Sequence, residues 1–185
     1  YIDKDRKEDK VVSIVDLSFG STGIYFFKGG QLIYSRSIGF GLRDIEVAVL
    51  ANISDKSINI RNLILTSGIK DIQKKETHLV VKAIEPYLEH IKETLDFMMN
   101  SRNINCDIIV LSGFGAFIPG MTDYIAINID KKVSALVSPI WLKDDKSSAG
   151  RALYAGMIGA GLALLSDPST LGAPILNVAK FYRLD

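Results

Sequence analysis

The chain is poor in the residues on which small secreted or metal-bound folds are built. Its single cysteine, Cys106, excludes a disulfide framework. The two histidines, His78 and His90, have no cysteine beside them and lack the spacing of the usual metal-ligand clusters. With 22 basic and 21 acidic residues, the formal net charge is +1, so no global field gathers nucleic acid or anionic lipid. No run reaches the ~20 apolar residues of a membrane span. The most apolar stretch, 152–165, is shorter and follows Arg151. Residues 1–10 are dense in charge where a secretory signal would be apolar, and they read as a linker or tag remnant. These absences point to a reducing, cytoplasmic setting.

What is present is core-forming material: 48% of the 185 residues are hydrophobic, enough for one compact unit. Residues 11–17 form a short β-branched run that reads as a central strand, with Asp16 conspicuous at its end. Segments 22–28 and 31–38 read as two further antiparallel strands, joined by Gly29-Gly30 as a hairpin turn. From Gly39 the period changes. Leu42, Ile45, Val49 and Leu50 fall at helical spacing, and Ser54-Asp55 is expected to cap a second helix over 56–65. Val80, Ile84, Leu88, Ile91, Leu95 and Met98 predict a long helix over 77–101, kinked at Pro86.

A strand at 107–111 then runs into the glycine-rich turn Ser112-Gly113-Phe114-Gly115-Ala116. A helix from Pro119 to about Asn128 follows, then a parallel strand over 133–137 and a loop over 138–148. The apolar stretch 152–165 reads as a buried helix, with Ala152, Gly156, Gly159 and Ala160 giving one face that a second backbone can approach closely. The tail from Ser166 carries two prolines and little pattern.

Two turns carry candidate chemistry, because each ends a buried strand and can aim backbone N–H groups at an anion. The first is Asp16-Leu17-Ser18-Phe19-Gly20-Ser21-Thr22. A carboxylate at a strand end can hold Mg²⁺ through water, and small residues beside it let the main chain wrap a phosphate tail. The second runs from Leu111 through Gly113, Phe114 and Gly115 to Pro119-Gly120. Taken in order, the strand-turn-strand with its terminal Asp, the helical insert, the long helix and the strand with a glycine loop resemble the C-terminal half of the actin-like ATPases.

That resemblance implies an α/β protein of the actin/Hsp70 (ribonuclease H-like) fold, second half only: a mixed sheet of about five strands flanked by helices, with a small helical insert. Residues 11–40 and 76–165 would be subdomain 2A, 41–75 the 2B-like insert and 166–185 a tail. The first turn resembles the family's second phosphate loop, Asp-x-Gly-x-x-x-Thr: Asp16 and Thr22 match, Ser18 replaces the glycine, and Gly20 matches a glycine of some members. The second resembles the adenosine motif Gly-Gly-x-x-x-x-Pro-Gly, matched at Gly113, Pro119 and Gly120, with Phe114 in place of the second glycine. The implied nucleotide-facing set is Asp16, Ser18, Gly20, Ser21, Thr22, Gly113, Phe114 and Gly115. Asp16 would hold Mg²⁺ through water, and no catalytic residue is expected.

Among branches, the PilM family of type IV pilus assembly is most similar, on the turn after the fourth strand, Ser138-Pro139-Ile140 and Gly161-Leu162-Ala163-Leu164. FtsA is a more distant relative. The family's Ala-Glu-x-x-Lys stretch has no equivalent in Ser57-Ile58-Asn59-Ile60-Arg61-Asn62-Leu63. The resemblance implies a cytoplasmic scaffold, peripheral to the inner membrane through PilN-like pilus or secretion partners, with self-association left open. ATP and Mg²⁺ would belong to the full-length protein. The family's first domain has no room before Val11, so this chain is not expected to hydrolyse ATP alone. The alternatives are an active ATPase or sugar-kinase-like domain, and an FtsA-like filament former.

Other conspicuous residues read plainly. Cys106 is expected to be an inert buried thiol, and the histidines to lie on the helix surface. Trp141 reads as edge packing ahead of a partner anchor, and Tyr25-Phe26-Phe27 as filling both faces of a strand. The tail over 175–183 faintly resembles a docking segment of PilN.

Overall fold

The computed structural model describes residues 10–29, 31–70 and 74–136. Five strands make one mixed sheet. β1 (Val11–Leu17), β2 (Thr22–Lys28) and β3 (Gln31–Ile38) form an antiparallel meander, and β4 (Ile108–Gly113) and β5 (Lys132–Ala135) join as parallel strands, giving the order β3-β2-β1-β4-β5. The central position falls to β1 because its residues are apolar on both faces. Val11, Val15 and Leu17 point into the main core, whereas Val12 on the other face is also buried. β3, at the edge, instead alternates between exposed and half-buried positions along its C-terminal half, as a strand with one solvated face does. The hairpin between β2 and β3 turns through Gly29 at φ 56°, and its second residue, Gly30, lies outside the described residues.

Three helices complete the layer against the Val15–Leu17 face: α1 (Leu42–Asn52), α3 (Lys75–Arg102) and α4 (Met121–Ile129). α3 buries Val80, Ala83, Ile84, Tyr87, Leu88, Ile91 and Met98, a stripe at three- and four-residue steps that lies on the sheet. The helix runs on through Pro86 and stops at Asn103, whose left-handed conformation (φ 54°) lets its N–H reach the carbonyls of Met98 and Met99.

The second helix of the insert, α2 (Ile60–Thr66), starts later than the expected 56–65. Asp55 folds back on the N–H and hydroxyl of Ser57 in a local turn, so it is Asn59 whose side chain caps the helix, accepting from Asn62 N–H at 3.0 Å. The parallel strand β5 covers Lys132–Ala135 in place of 133–137. Val137, the loop with Trp141, the apolar stretch 152–165, the tail and residues 1–9 lie outside the described residues. Cys106 is buried, and burial raises its thiol pKa, in keeping with an inert group. His78 is exposed, while His90 is half-buried, edge-on to Phe40 and 3.4 Å from Glu93.

Candidate functional site at the ends of β1 and β4

The parallel pairing of β1 with β4 puts the two glycine turns side by side. Asp16 stands opposite Ser112, and Leu17 opposite Gly113. Ninety-odd residues of sequence thus converge on one sheet edge, at the carboxyl ends of two adjacent parallel strands, where open α/β sheets hold ligands.

The first turn is built as an open loop on a closed base. Ser18 N–H donates to Ser21 C=O at 2.9 Å, and the carbonyls of Ser18 and Phe19 accept from Leu42 N–H (3.0 Å) and Arg43 N–H (2.9 Å) at the start of α1. Those two helix amides are therefore engaged with protein. Asp44 takes the Gly41 N–H at 2.8 Å, and Gly41 must be glycine because a Cβ there would collide with the Phe19 carbonyl. Thr22 is buried and its hydroxyl donates to Phe40 C=O at 2.7 Å, so this motif residue clamps the hairpin to the chain entering α1. The N–H groups of Phe19, Gly20 and Ser21, by contrast, have no partner among the described residues. A Cβ on Gly20 would meet nothing within 4 Å.

Asp16 is half-buried, and its Oδ2 accepts from the Ser18 hydroxyl at 2.9 Å. Its Oδ1 lies against Gly113, 2.8 Å from where a Cβ on that residue would stand. Two phenols flank this carboxylate. The Tyr25 ring lies over Gly23, the partner of Asp16 across β1 and β2, and its pKa is raised by burial first and by the Asp16 charge second. Tyr87, on α3 beneath the second turn, is fully buried, with its hydroxyl 3.1 Å from the position a Cβ on Gly115 would take. The Tyr87 hydroxyl has no hydrogen-bond partner among the described residues, and burial and then Asp16 push its pKa up.

The second turn is tight. Gly113 adopts φ 59°, and a Cβ there would stand 2.5 Å from Leu17 C=O. A 3₁₀ turn, Phe114–Ala116, follows, with Gly115 buried and Phe114 half-buried. The Phe114 ring packs against the main core. Pro119 and Gly120 (φ 86°) meet the end of the insert: Ile69 N–H donates to Pro119 C=O at 2.9 Å, and Gly68 (φ 54°) has no room for a Cβ against that carbonyl.

One residue that the sequence reading passed over also reaches the first turn. Arg61, in the stretch that lacks the Ala-Glu-x-x-Lys pattern, holds its guanidinium 5.1 Å from the Phe19 ring centroid while pairing with Glu46 at 2.5 and 3.0 Å. Glu46 and Arg61 also line a shallow depression of about 390 Å³ between α1 and α2. Its other lining residues are Val47, Leu50, Asn59 and Ile60, so no residue of the two turns lines it.

The carboxylate at these turns is Asp16, and no group of three or more His, Cys, Asp or Glu converges among the described residues. Such a site does not cage a resident ion. Mg²⁺ that keeps its waters and arrives on a polyphosphate is the kind of ion it could hold, and Asp16 would then reach it through water.

No protein-family profile matches the chain, and no curated protein matches it. Solved structures do. A strand-turn-strand with a terminal Asp, an inserted helical pair and a second strand-end loop define the second half of the actin-like ATPase fold, and that is the fold of this chain. It is similar to PilM in the PilM-PilN type IV pilus biogenesis complex, with a TM-score of 0.71 at 12% identity over 86% of this chain and 47% of that one. It also resembles MreB 5 of Spiroplasma citri bound to AMPPNP (TM-score 0.57, 13% identity, 83% of this chain and 52% of that chain). A third likeness is ParM of Bacillus thuringiensis with ATP (TM-score 0.52, 18% identity, 90% and 50%). The chain spans about half the length of each. No described helix is long and apolar enough to cross a membrane.

Proposed function

We propose that this chain is the nucleotide-facing half of an actin-like scaffold in a type IV pilus or type II secretion-like assembly machine. It sits in the cytoplasm, peripheral to the inner membrane, and binds PilN-like inner-membrane partners. Its nucleotide site is degenerate. The observation that carries the reading is the side-by-side placement of the Asp16 and Gly113 turns within a fold whose likeness to PilM reaches a TM-score of 0.71. Degeneracy is supported by the departures at Ser18, whose hydroxyl is bonded to the Asp16 carboxylate, and at Phe114, which packs against the main core where the motif has a glycine.

Calorimetric titration of the full-length protein with Mg-ATP, paired with co-purification of a PilN-like partner, tests it. Partner binding that survives nucleotide removal, with Mg-ATP affinity weaker than about 100 µM, is expected. Micromolar Mg-ATP binding with steady turnover that Asp16→Ala abolishes would select the active-ATPase reading instead. The unpartnered N–H groups around Gly20 favour that alternative. Nucleotide-dependent polymers in light scattering would select a filament former.

A further inference from the structure

We infer that Ser18 is a built-in competitor for the carboxylate of Asp16, and that its hydroxyl sets how weakly the first turn takes a hydrated divalent cation carried on a polyphosphate. The inference rests on the reading of the two turns as half of a nucleotide site, and it assigns the weakness of that site to one atom.

Asp16 has no ion-pair partner among the described residues, so its charge is met only by a neutral hydroxyl. That hydroxyl, from two residues along the chain, donates to Oδ2 at 2.9 Å. The Ser18 N–H bond to Ser21 C=O pins the turn, so the donor stays beside its acceptor at little further entropic cost. The other oxygen, Oδ1, lies against the Gly113 backbone, 2.8 Å from where a Cβ would stand. Of the two oxygens, Oδ2 is thus engaged from inside the protein by a hydrogen bond, while Oδ1 faces the Gly113 backbone.

A water on Mg²⁺ reaches a carboxylate in the same way that Ser18 does, by donating O–H to an oxygen lone pair. Ser18 takes one acceptor site of Oδ2 and fixes the carboxylate's orientation, so a Mg²⁺-bound water meets a partly engaged acceptor that cannot turn to it. A glycine or alanine at position 18 offers no such donor, and the carboxylate is then free to turn toward the open side of the turn, where Gly20 leaves space.

The test compares wild type with Ser18→Ala, Ser18→Gly and Ser18→Thr in the full-length protein, each titrated calorimetrically with ATP in Mg²⁺ and again in EDTA. Ser18→Ala and Ser18→Gly should both tighten binding in Mg²⁺ about tenfold, while affinity in EDTA stays at the wild-type value. Ser18→Thr keeps the hydroxyl and should behave as wild type. Asp16→Asn in the Ser18→Ala background should erase the gain.

A gain equal in Mg²⁺ and EDTA would overturn the inference, because the hydroxyl would then act on the phosphates. A gain in the glycine variant alone would also overturn it, since bulk would then be the cause. Weak binding in wild type and in both hydroxyl-free variants sinks the competitor role while leaving the degenerate-site reading intact. Micromolar binding by wild type, unchanged in Ser18→Ala, sinks both.

Discussion

At Gly113 the backbone is held at φ 59° with the Leu17 carbonyl in the space of a side chain, whereas at Gly20 φ is not positive and the space is empty to 4 Å. Both glycines stand in strand-end turns on the same sheet edge, and motif reading treats them alike. Physically they differ in kind. Gly113 is glycine because β1 passes too close for anything larger, so its identity is explained by the protein's own packing. Gly20 has no internal reason to lack a side chain, which leaves room for an external occupant as its explanation. A glycine at a binding loop points to a ligand only after the fold's own claims on it have been subtracted.

The contrast can be broken by substitution. Gly113→Ala should cause the largest change. A Cβ driven against a backbone carbonyl, with the left-handed strain added, should cost at least about 3 kcal/mol in denaturant unfolding. A loss under about 1 kcal/mol would show that β1 and β4 can separate there without penalty.

Tyr87→Phe should change stability in the opposite direction. Removing a buried hydroxyl that lacks a partner should stabilise the protein by about 1 kcal/mol near neutral pH. The same variant sharpens the electrostatics. A phenol whose folded pKa is raised is stabilising below its unfolded pKa near 10, and that contribution is lost as pH rises from there toward the folded value. Wild type should therefore lose stability above about pH 10 more steeply than Tyr87→Phe, as read from thermal melts across an alkaline series.

Gly20→Ala should have the smallest effect on the free protein, within about 0.5 kcal/mol of wild type, because the added methyl group touches nothing. If it destabilises the protein as strongly as Gly113→Ala, the distinction between the two turns is wrong.

Much of the scaffold was legible in advance because local pattern and final packing agree. The apolar run 11–17 became the central strand, and the heptad-like stripe from Val80 to Met98 became the face of α3. The start of α2 was missed because Asp55 and Asn59 are both competent caps; Asp55 is instead engaged by Ser57 four residues early. At the site, Asp16 and the two glycine turns could be read from residue type and order. The Ser18 bond was within reach too, since its partner lies two positions away, but only the rotamers reveal it. Arg61 was beyond local reading: its contacts, Glu46 and Phe19, belong to α1 and to the first turn. Thr22 matches the motif by position, but its hydroxyl answers to the Phe40 carbonyl, which no motif records.

The meeting of Gly68 and Ile69 with Pro119 joins the end of α2 to the loop after β4, main chain to main chain, with no side chain between them to yield. Two segments fifty residues apart are thereby geared together. A shift of that loop would be felt first at the end of α2, the helix that carries Arg61. The small helical pair is thus tied at both ends, α1 to the carbonyls of Ser18 and Phe19 and the end of α2 to that of Pro119, and braces one strand-end turn against the other.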